Sequence, residues 1–339
     1  MAALVLGACS FGGGSNNSQA PTAAPSASPS GQAPLVVSEA EAREVLASYD
    51  RENNAANADM DRDRIAGIEA GDLLETSLAS YRVRGLRPDR EPYKPFTHND
   101  PTFWIPRGHG YPRAFVIVSN TGSREGHSVM YFARESPQAP WKAIVSAWVR
   151  VGDPPATASA DPARDALPKL EPVARDAGGG ALLADPGDPA RSACARYAAY
   201  MSVPDTGAAP EDGRFAPGAH TTVLRQEIIG DRDARIRRSV TVTARENRIA
   251  PVFRTAAGSS LVPCVLNEVV DTAVADPVVK LNADGPDLVA LLGRTKSFAS
   301  IRLEYVASVL VSVPEAPDAP ITVVNGGLGS SHLVNATGT

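Results

Sequence analysis

At 339 residues, 43% hydrophobic and 21% charged, the chain has the composition of an ordinary globular protein and is long enough for two domains. Its 33 basic against 38 acidic residues give a formal charge of -5, which leaves no basic footprint for neutralising phosphates and argues against nucleic acid as a partner. No segment beyond the N-terminus approaches the roughly 18 consecutive apolar residues of a membrane span, so membrane attachment has to rest on the first residues.

Those first residues carry a signal. Leu6-Gly7-Ala8-Cys9 puts an apolar residue and two small residues before a cysteine, which resembles the lipobox cleaved before its cysteine during bacterial lipoprotein processing. Cys9 is therefore the expected lipidation site, through diacylglycerol and palmitate-type chains, and more than one acyl chain suffices for stable anchoring. Residues 1–9 have no positively charged n-region and only Ala2 to Ala8 as an apolar stretch, so they are expected to be the end of a signal that starts upstream. Residues 10–37 follow as an Ala/Pro/Ser-rich, nearly uncharged tether that cannot bury enough apolar surface to order itself. This places the remainder at the outer face of the cytoplasmic membrane.

The first folded element starts at Ser38, where Ser38-Glu39-Ala40-Glu41 has the form of a capping box. Ala42, Val45, Leu46, Tyr49, Asn53 and Ala56 then form a helical stripe that turns polar toward its end, predicting a helix over 39–58. Shorter helices are expected over 61–70, with Ile65 and Ile68 inward, and from Gly71 through Tyr81. The prolines dispersed over 85–112 are too dense for long regular structure. Residues 114–118 and 128–133 read as a hairpin, and 141–149 as a third antiparallel strand.

Residues 152–188, with Gly178-Gly179-Gly180, read as a linker, after which the order of helix and then strands recurs. A helix is expected over 189–201, a short one over 221–229, and strands over 239–246, 251–255, 260–272 and 298–313. The fold class is therefore α+β, with tandem helix-plus-antiparallel-sheet halves at 38–151 and 189–339. Cys194 and Cys264 are an even pair in an exported chain, either bridged as a disulfide or packed as buried thiols.

Leu6 to Cys9, the helix Val45 to Asp59, Trp141 to Ser146 and Phe215 to Thr221 together resemble a family of uncharacterised lipoproteins of high-GC Gram-positive bacteria, streptomycetes especially. The resemblance implies an address and an approximate architecture, without an activity, cofactor or site. Each half also resembles, in fold alone, the cone-shaped NTF2-like, SnoaL-like and cystatin-like α+β domains, which host enzymes and binding modules alike.

The chain contains no G-x-S-x-G, S-x-x-K or H-E-x-x-H, and its glycine runs lack the strand–loop–helix context of a phosphate loop. No cofactor or metal site is expected. The acid–base candidates are His98, Asp100 and His109 in the Pro-rich segment, with Tyr111, Arg107 and Arg113 nearby, since a histidine beside a carboxylate can act as a base near neutral pH. Phe96, Phe103, Trp104 and Tyr111 either close the first core or form an exposed aromatic patch. Arg235-Ile236-Arg237-Arg238 is a small basic cluster, either solvated or placed against anionic wall polymers. These observations favour a non-enzymatic binding or structural module for a protein or cell-wall ligand; the alternative is a SnoaL-like or hydrolase-type enzyme with its pocket in the first half.

Overall fold

A computed structural model describes residues 32–149 apart from 88 and 122–125, then 168–185, 189–206, 211–230, 235–276, 279–283, 285–293, 297–325, 328 and 331–339. Cys9, the tether up to residue 31 and residues 152–167 and 186–188 of the expected linker lie outside the described residues. Residues 33–339 form one compact unit.

Helix α1 (Glu39–Asp59) begins where the Ser38 hydroxyl accepts the N–H of Glu41 at 3.1 Å. The Glu41 carboxylate accepts from the Trp141 indole at 3.1 Å, tying the helix start to the sheet. Ala42, Leu46, Tyr49, Asn53 and Ala56 are buried, as their spacing requires. Asp61, in a run of alternating charges, caps α2 (Arg62–Ile68) by accepting from the N–H groups of Asp63 and Arg64. Helix α3 (Gly71–Leu86) runs five residues past the expected end at Tyr81.

The first sheet is an antiparallel meander in the order β1 (Asn99–Trp104), β2 (Arg113–Asn120), β3 (His127–Arg134) and β4 (Lys142–Val149). Strand β1 was not expected in so proline-rich a segment. It survives because it is an edge strand, where Pro101 can do without a ladder donor, and its register shifts between Asn99 and Thr102 around Asp100 (φ 49°). The second half supplies α4 (Ser192–Met201), α5 (Leu224–Gly230) and a larger sheet. Its long central pair is β7 (Ser260–Val274) against β10 (Ser300–Val313). Strands β5 (Ile236–Ala244) and β6 (Phe253–Arg254) pair with β7, and β11 (Thr322–Val323) and β12 (His332–Gly338) with β10. A small ladder of β8 (Leu281–Asn282) with β9 (Ser297–Phe298) flanks α6 (Pro286–Leu292).

Alternation along β7 explains how these layers meet. Leu261 and Val265 point to a core shared with Val116, Val129, Tyr131 and Val145 of the first sheet, while Val262, Cys264 and Leu266 point to the core under α4. A strand buried on both faces needs an almost continuous apolar run, which is what Ser260 to Leu266 provides. On the far face of the first sheet, Phe115, Ile117, Met130 and Phe132 pack beneath α1. The layers therefore run helix, sheet, sheet, helix. Trp104 packs edge-on to Phe253 across the middle, with ring centroids 5.6 Å apart, so part of the aromatic group in the Pro-rich segment is core. Each fully buried side chain of this size contributes roughly 2–3 kcal/mol.

The described part of the expected linker, 168–185, is paired with both halves. Ala181 N–H donates to Ile105 O, while Ala184 N–H donates to Val252 O and Ala174 N–H to Arg254 O. Its glycine run is a turn shaped by charge: Arg107 Nε donates to Asp176 Oδ2 at 2.6 Å, and Asp176 Oδ1 accepts from the N–H groups of Gly178 and Gly180. A Cβ on Gly178 would lie 2.3 Å from Arg107 Nη2, and Gly179 holds φ 81°, so glycine suits both positions.

Candidate functional site

The three acid–base candidates do not converge. Asp100 and His109 are exposed, whereas His98 is buried, and its carboxylate partner is Asp50 of α1 instead of Asp100. His98 Nδ1 lies 2.5 Å from Asp50 Oδ1, and the His98 backbone N–H donates to Asp50 Oδ2 at 3.0 Å. The Phe96 ring meets the imidazole edge-on at 5.3 Å, and Tyr49 lies on another side at 6.2 Å. Asn54, one position-set further along α1, accepts from the Phe96 N–H at 3.0 Å and the Tyr93 hydroxyl at 2.8 Å and donates to Phe96 O at 2.7 Å. A Pro-rich loop has few donors and no ladder of its own, so polar side chains of α1 supply the partners its backbone needs. His98 belongs to this latch. Arg107 and Arg113 likewise hold backbone: Arg107 donates to Ala33 O and Arg113 to Val36 O, each at 3.1 Å, fixing the start of the folded unit.

Beneath α1 lies a second buried network, centred on Glu69, which sequence reading did not single out. Glu69 is 1% exposed, at the end of α2. Tyr49 donates to its Oε1 at 2.7 Å and Asn53 at 3.2 Å, and Asn57 donates to Asn53 Oδ1 at 2.5 Å. Oε2 and the nearby Tyr81 hydroxyl are buried without a hydrogen-bond partner among the described residues. Burial pushes the Glu69 carboxyl up to about 7, against hydrogen bonds that favour its charged form. It also pushes the Tyr49 phenol well above its ordinary value, helped by the neighbouring Glu69 charge, so Tyr49 remains a donor. The available signal was the stripe of α1, where Asn53 follows Tyr49 on an inward face and requires a polar partner.

The surface offers concave sites where the two halves meet. A groove of about 680 Å³ runs between α3 and the second sheet, lined by Arg84, Arg87, Arg90, Tyr305, Ser331 and His332 among others. Arg87 Nη1 crosses the seam to Asp287 at 2.9 Å. Another cavity, of about 350 Å³, lies between the start of α3, the β3–β4 end and residues 246–249. Next to it Arg245 clamps α3 to the second sheet, meeting Asp72 and Glu75 at 2.5 Å and Asn267 at 2.5 Å.

Cys194 and Cys264 form a disulfide joining α4 to β7, with Cα atoms 5.3 Å apart. Among the described residues, no helix is long and apolar enough to cross a membrane, and no cluster of His, Cys, Asp or Glu is arranged to hold a metal ion.

Fold and surface together define an α+β protein with its histidine–carboxylate pair inside the structure and two of its open concavities at the seam between the two sheets. The chain belongs to the DUF8094 family, a domain of unknown function, which matches residues 33–328. It is 40% identical over 141 residues to the uncharacterized lipoprotein SCO6871 of Streptomyces coelicolor (strain ATCC BAA-471 / A3(2) / M145), an alignment covering 40% of this chain and 39% of that protein. The match thus spans about two fifths of the relative's length. The resemblance to uncharacterised streptomycete lipoproteins, read from Leu6 to Cys9 and the segments behind it, agrees with that relative. No solved structure matches the chain.

Proposed function

We propose that this protein is an exported lipoprotein held at the outer face of the cytoplasmic membrane by acyl chains on Cys9, where it serves as a non-catalytic binding module for a protein or cell-wall ligand. The observation that carries the non-catalytic reading is the position of His98. Its ring is buried against Asp50, Phe96 and Tyr49, with Nδ1 on Asp50 in the latch that holds the loop, and the exposed Asp100 and His109 stand apart from it. A general base has to come within hydrogen-bond reach of a substrate proton. The anchored reading draws on the Leu6–Cys9 pattern and the lipoprotein relative. The recurrence of helix before antiparallel sheet in both halves supports reading them as related NTF2-like units.

Turnover assays separate the module from an enzyme built on these residues. Wild-type protein and the His98→Gln/His109→Ala double variant are compared on a panel of esters, phosphoesters and glycosides. The expected result is no turnover above buffer by either protein. Turnover by the wild type that the double variant loses while still folded, by circular dichroism, would establish the enzymatic alternative.

A further inference from the structure

The groove between α3 and the second sheet has a chemistry of its own. Three guanidinium groups line it, Arg84 and Arg87 one turn apart on and just beyond α3, and Arg90 in the loop that follows. They sit in a chain whose net charge is negative. Arg87 is engaged by Asp287 at 2.9 Å and Asp89 at 3.3 Å. Arg84 donates to the backbone carbonyl of Glu91, and Arg90 reaches the Met60 sulfur at 3.9 Å. Neither has a carboxylate within ion-pair distance among the described residues. Two carboxylates also line the groove: Asp287 is taken by Arg87, and Glu91 meets Arg84 through its backbone carbonyl, so three guanidinium groups stand against two carboxylates. Ser80 adds a hydroxyl one turn before Arg84 on α3, and opposite them the second sheet's side provides the half-buried Tyr305 and Ser331, whose hydroxyl donates to Glu268 at 2.8 Å. Val83 and Leu333 are the apolar contributors, too few for an acyl chain or an apolar peptide.

We infer that this groove binds a short anionic polyol or saccharide chain, with Arg84 and Arg90 taking its oxyanions and the hydroxyls and Tyr305 taking its hydroxyl-rich body. The planar fork of arginine suits oxyanions of either carboxylate or phosphate type, because two parallel N–H groups meet two oxygens. A groove of this volume accommodates a ligand of a few sugar-sized units. Both walls are needed: α3 comes from the first half and β10 and β12 from the second, so the site exists only when the halves are docked. The inference rests on the binding-module reading and names the ligand class for it.

Isothermal titration of the full chain with trigalacturonate and with a glycerol-phosphate oligomer tests it, with neutral maltotriose alongside and phosphatidylglycerol vesicles as an arm that distinguishes a lipid headgroup from a soluble chain. The expected result is saturable binding of at least one soluble anionic probe, weakening as salt is raised from about 50 mM to about 500 mM. The variant Arg84→Gln/Arg90→Gln is expected to bind at least tenfold more weakly. Arg90→Glu alone, at an exposed position, does the same without disturbing the Arg84 bond to the loop, while Arg248→Glu, an exposed charge elsewhere, leaves binding unchanged. Absence of saturable binding to both soluble anions, binding only to vesicles, equal binding of maltotriose, or wild-type affinity in both arginine variants would each overturn the inference. None of these results would bear on whether the protein turns over a substrate, so the failure of this site is distinguishable from failure of the module reading.

Discussion

Replacing Cys194 and Cys264 together by alanine is expected to lower the unfolding free energy by about 4 kcal/mol. The two cysteines are 70 residues apart in sequence, so their bond removes a large amount of loop entropy from the unfolded chain. They also join the outer helix α4 to the strand that both cores share, Cys264 being buried among Val262, Leu266, Val309 and Val311. Losing the bond therefore loosens the attachment of the outer helix layer to the central strand. Urea unfolding of the oxidised wild type, the reduced wild type and the double-alanine variant measures this. The reduced wild type should fall close to the variant, because the cross-link is the dominant loss. Coincident midpoints for oxidised and reduced protein would show that the bridge contributes nothing.

The second large effect is a pH dependence set by Glu69. Its carboxyl titrates near 4.5 in an unfolded chain and at about 7 in the folded one, so the folded state holds a proton that the unfolded state has released. The contribution is fully present below about pH 4.5 and is lost as pH rises through about 7. A difference of this size corresponds to roughly 3 kcal/mol. Above pH 7 the folded protein carries a buried carboxylate, one oxygen of which has no partner among the described residues. Glu69→Gln keeps an oxygen to accept from Tyr49 and cannot ionise, so the variant should be the more stable protein at pH 8 by up to about 3 kcal/mol and similar to wild type at pH 5. Burial also raises Glu268, which adds a slope of the same sign. Denaturant melts of both proteins from pH 5 to 8 test this; a flat wild-type profile, or a variant less stable at pH 8, would contradict the assignment.

The helices and long strands were legible because each buries one patterned face. The α1 stripe from Ala42 to Ala56 and the hairpin around residues 114–133 declare their periods locally. What pattern could not show was the partner of each face. Ser260 to Leu266 reads as a strand, but nothing local says that its alternate residues meet the first sheet and α4 separately. Strand β1 was hidden because proline penalises a strand by type, while edge position, a property of the whole sheet, removes the penalty. Gly178 to Gly180 looked like linker composition; the reason for glycine is a guanidinium from a position 71 residues earlier, which donates to Gly178 O.

The chemistry of the Pro-rich loop was legible in kind and misplaced in partner. A histidine paired with a carboxylate is there, but the carboxylate is Asp50 of α1, 48 residues before His98 in sequence, instead of the neighbouring Asp100. Glu69 escaped for a related reason: it is a single carboxylate after Ile65 to Ile68, and its partners Tyr49 and Asn53 come from a different helix. The groove at the seam could not be read at all, since its walls are brought together by the docking of α3 on the second sheet through Arg87–Asp287 and Arg245–Glu75.

Mass spectrometry of the mature N-terminus, taken from the membrane fraction of the native host, tests the account at its centre. The protein is expected to begin at Cys9 and to carry acyl chains on that residue. An unmodified protein in the soluble fraction, with Met1 retained, would contradict it.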